Sequence, residues 1–193
     1  MRTPFLFLLV FFLFSCTGKS QEAKRMSPIP KEKIQEVKSF VSGKNYNQNL
    51  AIFINFKIPS GSYRFFIYDL KNDIIVEKAI VSHGSGSVVP NSTALRFSNT
   101  VGSYQSSLGK YAIGSSYVGT FGKSYRLTGL DSSNSNALKR AIVLHSYDCI
   151  GDVETSELAC LSLGCPMLSK KFFKVAEKYI DTSKKKIILY AFY

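Results

Sequence analysis

Histidine is scarce in this chain: its 193 residues include two, His83 and His145. The four cysteines, at 16, 149, 160 and 165, are scattered, and with two histidines they make no cluster at zinc-ligand spacing, so no metal site is expected. Acidic residues are also in short supply, 13 against 25 Lys and Arg, which leaves a formal net charge of +12. A basic surface suits nucleic acid, an anionic lipid or an acidic polymer. The lysines are spread along the chain with one cluster at Lys184, Lys185 and Lys186, which reads mostly as a solvated face. No apolar run reaches the roughly 20 residues that cross a bilayer. Gly84-Ser85-Gly86 is not followed by the Lys-Ser/Thr opening of a phosphate loop, and no internal repeat is visible.

The N-terminus has the marks of an address. Met1-Arg2 precedes a greasy stretch from Phe5 to Phe14, too short to span a bilayer and suited to a secretory signal. Leu13-Phe14-Ser15-Cys16 resembles a bacterial lipobox, in which the cysteine is lipidated and becomes the new N-terminus. The expected organisation is a signal peptide over 1–15, lipidated Cys16 and a polar tether over 16–30, and one folded domain over 31–193. Export makes nucleic acid an unexpected partner. Thr17 stands where some lipoproteins carry an inner-membrane retention Asp, so the expected location is the outer membrane, facing the periplasm. Oligomeric state is not legible.

Lys31–Val41 places Ile34, Val37, Phe40 and Val41 at helical spacing, with Gly43 as a stop. Beyond it the pattern turns to short β runs, Leu50–Phe56, Arg64–Leu70 and Ile74–Val81. A Ser- and Gly-rich middle section, 82–124, holds a candidate strand at Lys110–Ile113, and Tyr125–Leu127 and Ala141–His145 read as two more. A short helix fits Ser132–Arg140; Ser169 caps a last helix with an apolar stripe at Phe172, Phe173, Val175, Ala176, Tyr179 and Ile180; Lys186–Tyr193 closes as a strand. The whole predicts a mostly-β domain, a sandwich or partial barrel with a few short helices.

The chemistry concentrates at Ser162-Leu163-Gly164-Cys165-Pro166, twenty residues after a strand ending in His145. A thiol is a poor nucleophile until it loses its proton, and an imidazole can take that proton. Gly164 permits a tight turn, and N–H groups around Gly164 and Cys165 suit a developing oxyanion. The same residues also fit a buried core thiol and a hydrogen-bonded strand end. If Cys16 carries lipid, three thiols remain in an oxidising compartment. Pairing Cys149 with Cys160 staples the loop ahead of the motif and frees Cys165, whereas a pair involving Cys165 silences it.

Leu144-His145-Ser146 followed by Ser162-Leu163-Gly164-Cys165 resembles the His…Ser-x-Gly-Cys pattern of the YkuD L,D-transpeptidases. Further stretches are similar to one branch, the murein L,D-transpeptidase catalytic domains: Ser82 to Gly86, Phe97-Ser98-Asn99, Gly102 to Gly109, Tyr117-Val118-Gly119, Arg126 to Leu130, Asn136-Ala137 and Arg140 to His145. The ordered set covers residues 80–167, and it is the order that makes it specific. The resemblance implies a YkuD-like β-sandwich or partial barrel that cleaves a peptidoglycan stem tetrapeptide after its third residue and releases D-Ala. Cys165 is then the nucleophile and His145 the base, oriented by the carbonyl of Ser146, with Gly164 at the turn. Ser162 takes the motif serine position, and His83 and Gly84 are candidates to line the cleft. No cofactor is expected, and the partners are stem peptides and, through the lipid, a membrane. Passing the thioester to an amine gives a 3-3 cross-link, passing it to water an L,D-carboxypeptidase; a silent peptidoglycan-binding lipoprotein is the non-enzymatic alternative. The chain departs from the family at Leu161, where an Arg is frequent, and at Met167, where Arg or Asn is frequent. Arg96, Lys110 and Arg140 are the candidates to supply the missing charge.

Overall fold

The computed structural model describes residues 27–193; the leader and Cys16 lie outside the described residues. Helix α1 (Lys31–Val41) buries Ile34, Val37 and Val41, one stripe at helical spacing, and Gly43 at φ 69° releases the chain into the first strand. The strands are β1 (Tyr46–Asn55), β2 (Phe65–Asp69), β3 (Ile74–Ala79), β4 (Gly109–Gly119), β5 (Gly122–Gly129), β6 (Val143–Ser146), β7 (Met167–Leu168) and β8 (Lys186–Phe192), with helix α2 (Lys170–Asp181) between the last two. They form one mixed sheet in the order β3-β2-β1-β8-β4-β5-β6-β7. The β1–β8 and β6–β7 pairs are parallel and the others antiparallel.

The expected mostly-β fold is what forms, with its layers built from a single sheet covered on both faces. Alternation along β1 sends Ala51 and Phe53 to the α1 side, where they meet Phe66, Tyr68, Ile188 and Tyr190. Ile52 and Ile54 face the opposite way and join Phe65, Ile67, Tyr125, Leu127 and Leu189 under Phe173 and Ala176 of α2. Burial on both faces explains why β1 and β8 read as unbroken apolar runs. At the start of α2 the Ser169 hydroxyl accepts from the Phe172 N–H at 3.0 Å, an N-cap for a helix end that otherwise leaves its first donors unpaired.

Past β3 the chain crosses to the far edge of the same sheet. Ser82 N donates to the Met167 carbonyl at 3.1 Å, and Met167 N to the Ser82 hydroxyl at 2.9 Å. Ser162 N reaches the His83 carbonyl at 2.9 Å, and Ser85 N the Ser162 carbonyl at 2.7 Å. The first and last strands of the order are thus laced together at one end, a partial barrel whose seam runs through the Ser162–Pro166 motif.

Several elements differ from expectation. Lys110–Ile113 is the inner part of a long β4–β5 hairpin, whose outer residues, rich in Ser and Gly, are exposed and carry no apolar alternation to read. Within Ser132–Arg140 the short helix is a single 3-10 helix, Ser132–Asn134, closed by reciprocal Asp131–Asn134 hydrogen bonds, and the rest is turn. Strand β7 has two residues, too few for any periodicity. Ile29 is fully buried and the Pro28 carbonyl accepts from Asn55 at 2.8 Å, so packing begins ahead of residue 31, within the stretch read as tether.

The seam tolerates no side chain at Gly84, where a Cβ would lie 2.1 Å from the Tyr104 carbonyl oxygen. Gly84→Ala is expected to cost more than about 2 kcal/mol of stability. Gly43→Ala, strained at positive φ but in open space, should cost about 1 kcal/mol. Denaturant midpoints of the two variants check the ranking.

Candidate active site

His145 sits near the end of β6, paired with Ser124 of β5 on one side and Met167 of β7 on the other. Its Nδ1 lies 3.1 Å from the Ser146 carbonyl oxygen. A carbonyl only accepts, so Nδ1 carries the proton and Nε2 is left with the free lone pair, the tautomer a general base needs. The side chain is buried, at 2% exposure, under the ring of Phe121, which stacks on the imidazole with centroids 4.2 Å apart and planes 21° from parallel. Tyr147 meets that ring edge-on. Burial pulls the imidazole below its ordinary pKa of 6.5, with the Ser146 carbonyl opposing, so the ring stays neutral to lower pH than a free histidine.

Cys165 is the free cysteine of the described residues and is half-buried. It follows Gly164, whose φ of 118° belongs to glycine. A Cβ there would stand 2.9 Å from the Gln105 carbonyl and 3.2 Å from Nη2 of Arg140. The sulfur accepts from the Val143 N–H at 3.4 Å and faces the Ala141 carbonyl at 3.7 Å. Among the described residues no hydrogen bond joins it to His145. Burial raises the thiol pKa, and the Val143 N–H and the Arg140 charge offset part of that rise. Both groups of the pair are therefore neutral near pH 7, a thiol and an imidazole rather than an ion pair.

The remaining sequence candidates are buried in the walls. The Ser162 hydroxyl accepts from the Gly164 N–H at 3.0 Å, which fixes the turn and removes that N–H from any oxyanion role. The N–H of Cys165 is without a partner among the described residues and is the donor left for an oxyanion. Gly84 lies opposite Ser162 across the seam. The His83 ring is held by Arg64. Its Nδ1 is 2.9 Å from Nη2 of Arg64, beside a cavity of about 600 Å³ that Phe56, Leu95 and Leu158 also line. Burial and the Arg64 charge hold His83 at about 4. Cys149 and Cys160 are joined, Cα atoms 6.1 Å apart, and close the loop between His145 and Ser162. That loop is tied to the β1–β2 connection, Thr155 N reaching the Gly61 carbonyl and Tyr63 N the Glu154 carboxylate.

The family model of the L,D-transpeptidase catalytic domain matches residues 22–192. The chain belongs to this family. Among curated proteins no relative matches. Among solved structures, a point variant of the helical cell shape determining protein Pgp2 from Campylobacter jejuni is similar at 15% identity and TM-score 0.50, over 86% of this chain and 56% of that one. An L,D-transpeptidase from Xylanimonas cellulosilytica matches at 11% identity and TM-score 0.40, over 85% of this chain and 70% of that one. One from Mycobacterium smegmatis matches at 11% and 0.42, over 75% of this chain and 59% of that one. At such identities the likeness is one of fold, and this L,D-transpeptidase-family chain spans little more than half of the Campylobacter and Mycobacterium proteins.

Two residues of the site escaped sequence reading. Ser82, fully buried, bonds the Cys165 carbonyl at 3.2 Å as well as the Met167 N–H, bracing the residue that carries the thiol. Phe121 forms the lid over the imidazole; its signal was an aromatic isolated between Gly119 and Gly122 at a hairpin tip, where turn residues are normally polar. Beside it opens a groove of about 620 Å³ lined by Phe121, Ser146, Lys123, Lys170, Lys171 and Lys174.

With two histidines in the chain, NMR titration resolves both. Each is expected to titrate below 6.5, His83 near 4. Phe121→Ala removes cover from one ring, so the His145 pKa should rise toward 6.5 while His83 stays. An unchanged His145 would mean that the stacked ring does not govern its burial.

Proposed function

We propose that this chain is a peptidoglycan L,D-transpeptidase working by cysteine acyl transfer. The observation that carries the reading is the combination, in a chain of this family, of an unbridged Cys165 at a glycine turn and a His145 whose Nδ1 is tied to the Ser146 carbonyl, leaving Nε2 as base. The reaction requires the Cys165 side chain to turn from the Val143 N–H so that Sγ meets Nε2. Sγ then attacks the carbonyl of the third residue of a stem tetrapeptide as Nε2 takes the thiol proton. The Cys165 N–H stabilises the oxyanion. Collapse of the intermediate breaks the peptide bond, the imidazolium returns its proton to the leaving amine, and D-Ala departs. The thioester passes to an amine of a neighbouring stem, whose proton His145 accepts, or to water.

The neutral pair suits this sequence, because proton transfer occurs as the substrate arrives and excludes solvent. The groove beside the site, lined by Lys170, Lys171 and Lys174 together with one carboxylate, Glu177, has the net positive charge that suits the carboxylates of stem peptides. The N-terminal residues, as a signal and a lipidated Cys16, place the domain on a tether at the membrane, within reach of the wall. The competing reading is a wall-binding module without turnover, and the feature that favours it is the raised thiol pKa combined with a sulfur turned to Val143.

Incubation with a stem tetrapeptide is expected to give, by intact mass, a Cys165 adduct equal to the peptide less D-Ala. Cys165→Ala should lose the adduct, and His145→Ala should slow its formation by about 10²–10⁴-fold. A wild-type protein that never acylates leaves the binding module standing. Because burial depresses the His145 pKa, the acid limb of kcat/KM should have its midpoint below 6.5; a midpoint above 6.5 contradicts His145 as the base. Cys16→Ala is expected to move the protein from the membrane to the soluble fraction.

A further inference from the structure

Among the described residues one lysine or arginine is fully buried, Arg64, at 1% exposure. Nε donates to the Val81 carbonyl at 2.9 Å, Nη1 to the Ile58 carbonyl at 3.2 Å, and Nη2 to Nδ1 of His83 at 2.9 Å. The Phe56 ring, its centroid 5.1 Å from Cζ, adds an electron-rich face and no charge. Arg64 enters no ion pair among the described residues. Taking a guanidinium out of water without a counter-charge is unfavourable, and burial pulls its pKa down to about 9. A guanidinium only donates, so Nδ1 of His83 accepts and Nε2 carries the ring's proton, the reverse of His145. His83 is 4% exposed, and no hydrogen bond among the described residues engages its Nε2. No fully enclosed side-chain N or O of these residues lacks a partner, so Nε2 reaches an open surface. The surface that this ring lines is the cavity of about 600 Å³.

That cavity has the make-up of a ligand site, apolar walls with a few convergent polar groups. Phe56, Ile58, Val88, Leu95 and Leu158 supply the walls, Arg64 and Lys57 the positive charge, and no Asp or Glu lines it. None of Cys165, His145, Ser146 or Gly164 lines it either, so an occupant is not the peptide under attack. We propose that the cavity binds a monocarboxylate with an apolar body, the carboxylate accepting from the Nε2–H of His83 beside the Arg64 charge and the body lying against Leu95 and Leu158. The count of charges selects the class. With His83 neutral, the buried wall carries one positive charge, which a single carboxylate balances and a dianion exceeds. The assignment moves His83 out of the reacting cleft, where its place in the sequence put it, to a site of its own. The two sites share only the seam, where the Ser162 N–H donates to the His83 carbonyl at 2.9 Å.

Hexanoate, hexanamide and acetate, titrated into the full chain and followed by NMR at the two imidazoles, test the assignment without any turnover. Hexanoate should shift the His83 resonances to saturation and leave those of His145 in place. Hexanamide keeps the body and loses the charge, and should bind about tenfold more weakly or worse. Acetate keeps the charge and loses the body, and should be weaker by at least the same factor. Inorganic phosphate should not displace hexanoate. Leu95→Trp fills the cavity while leaving Arg64 in place and should abolish the His83 shift. Arg64→Met should reduce hexanoate binding to the level of hexanamide. If that variant fails to fold, having lost three hydrogen bonds, the acid-to-amide ratio of the wild type carries the charge test. A His83 ring that hexanoate leaves unmoved, a shift confined to His145, equal affinity for acid and amide, displacement by phosphate, or full binding by Leu95→Trp each overturns the proposal.

Discussion

Everything at the site depends on the lacing of Ser82–Ser85 to Ser162–Met167. Four short hydrogen bonds join the segment after β3 to the loop before β7, elements at opposite ends of the strand order. A sheet with open edges leaves unpaired N–H and C=O groups along both. Here one end of each edge satisfies the other, and the nucleophile's turn is the place where they meet. The Cys165 carbonyl is held by Ser82, the Gly164 N–H by Ser162 and the Gly84 N–H by Ser106. The serines that crowd this part of the chain are thus short side chains serving as local hydrogen-bond partners where regular pairing stops.

The lacing also sets the electrostatics. Closing the seam draws Cys165 and His145 out of water, and desolvation disfavours the charged form of each: the thiol is pushed up and the imidazole down. Two shifts in opposite directions keep both groups neutral over a wide pH range around 7. Such a pair differs from a preformed thiolate–imidazolium, which would be reactive toward any electrophile. The stacked Phe121 ring serves the same enclosure, while the disulfide-closed loop from Cys149 to Cys160 is anchored on the β1–β2 connection.

Much of the scaffold was legible from the chain. Helix α1 was readable to the residue, because Ile34, Val37 and Val41 keep a helical interval and glycine follows. The apolar runs of β1, β2 and β8 and the Ser169 cap of α2 were equally plain. What stayed hidden lacks local pattern. The outer half of the β4–β5 hairpin carries no apolar alternation because it stands clear of the core, and β7 is a strand only because β6 lies beside it.

The sequence by itself determined the chemical inventory: one thiol at a glycine turn, one imidazole at a strand end, and an excess of positive charge over acid. These follow from residue type and spacing, which are local. Only the tertiary structure decided which cation lies beside the glycine turn and which histidine pairs next to the motif. Arg140 and Lys110 look alike in a string of letters. One is spent on Glu36 and Asp131 while the other is left without a counter-charge beside Gly164. His83 lies in the segment past β3 and is held by Arg64, whereas His145 in β6 pairs with Met167 beside the motif. Charge and burial are properties of neighbourhoods, and a neighbourhood exists once distant segments have met.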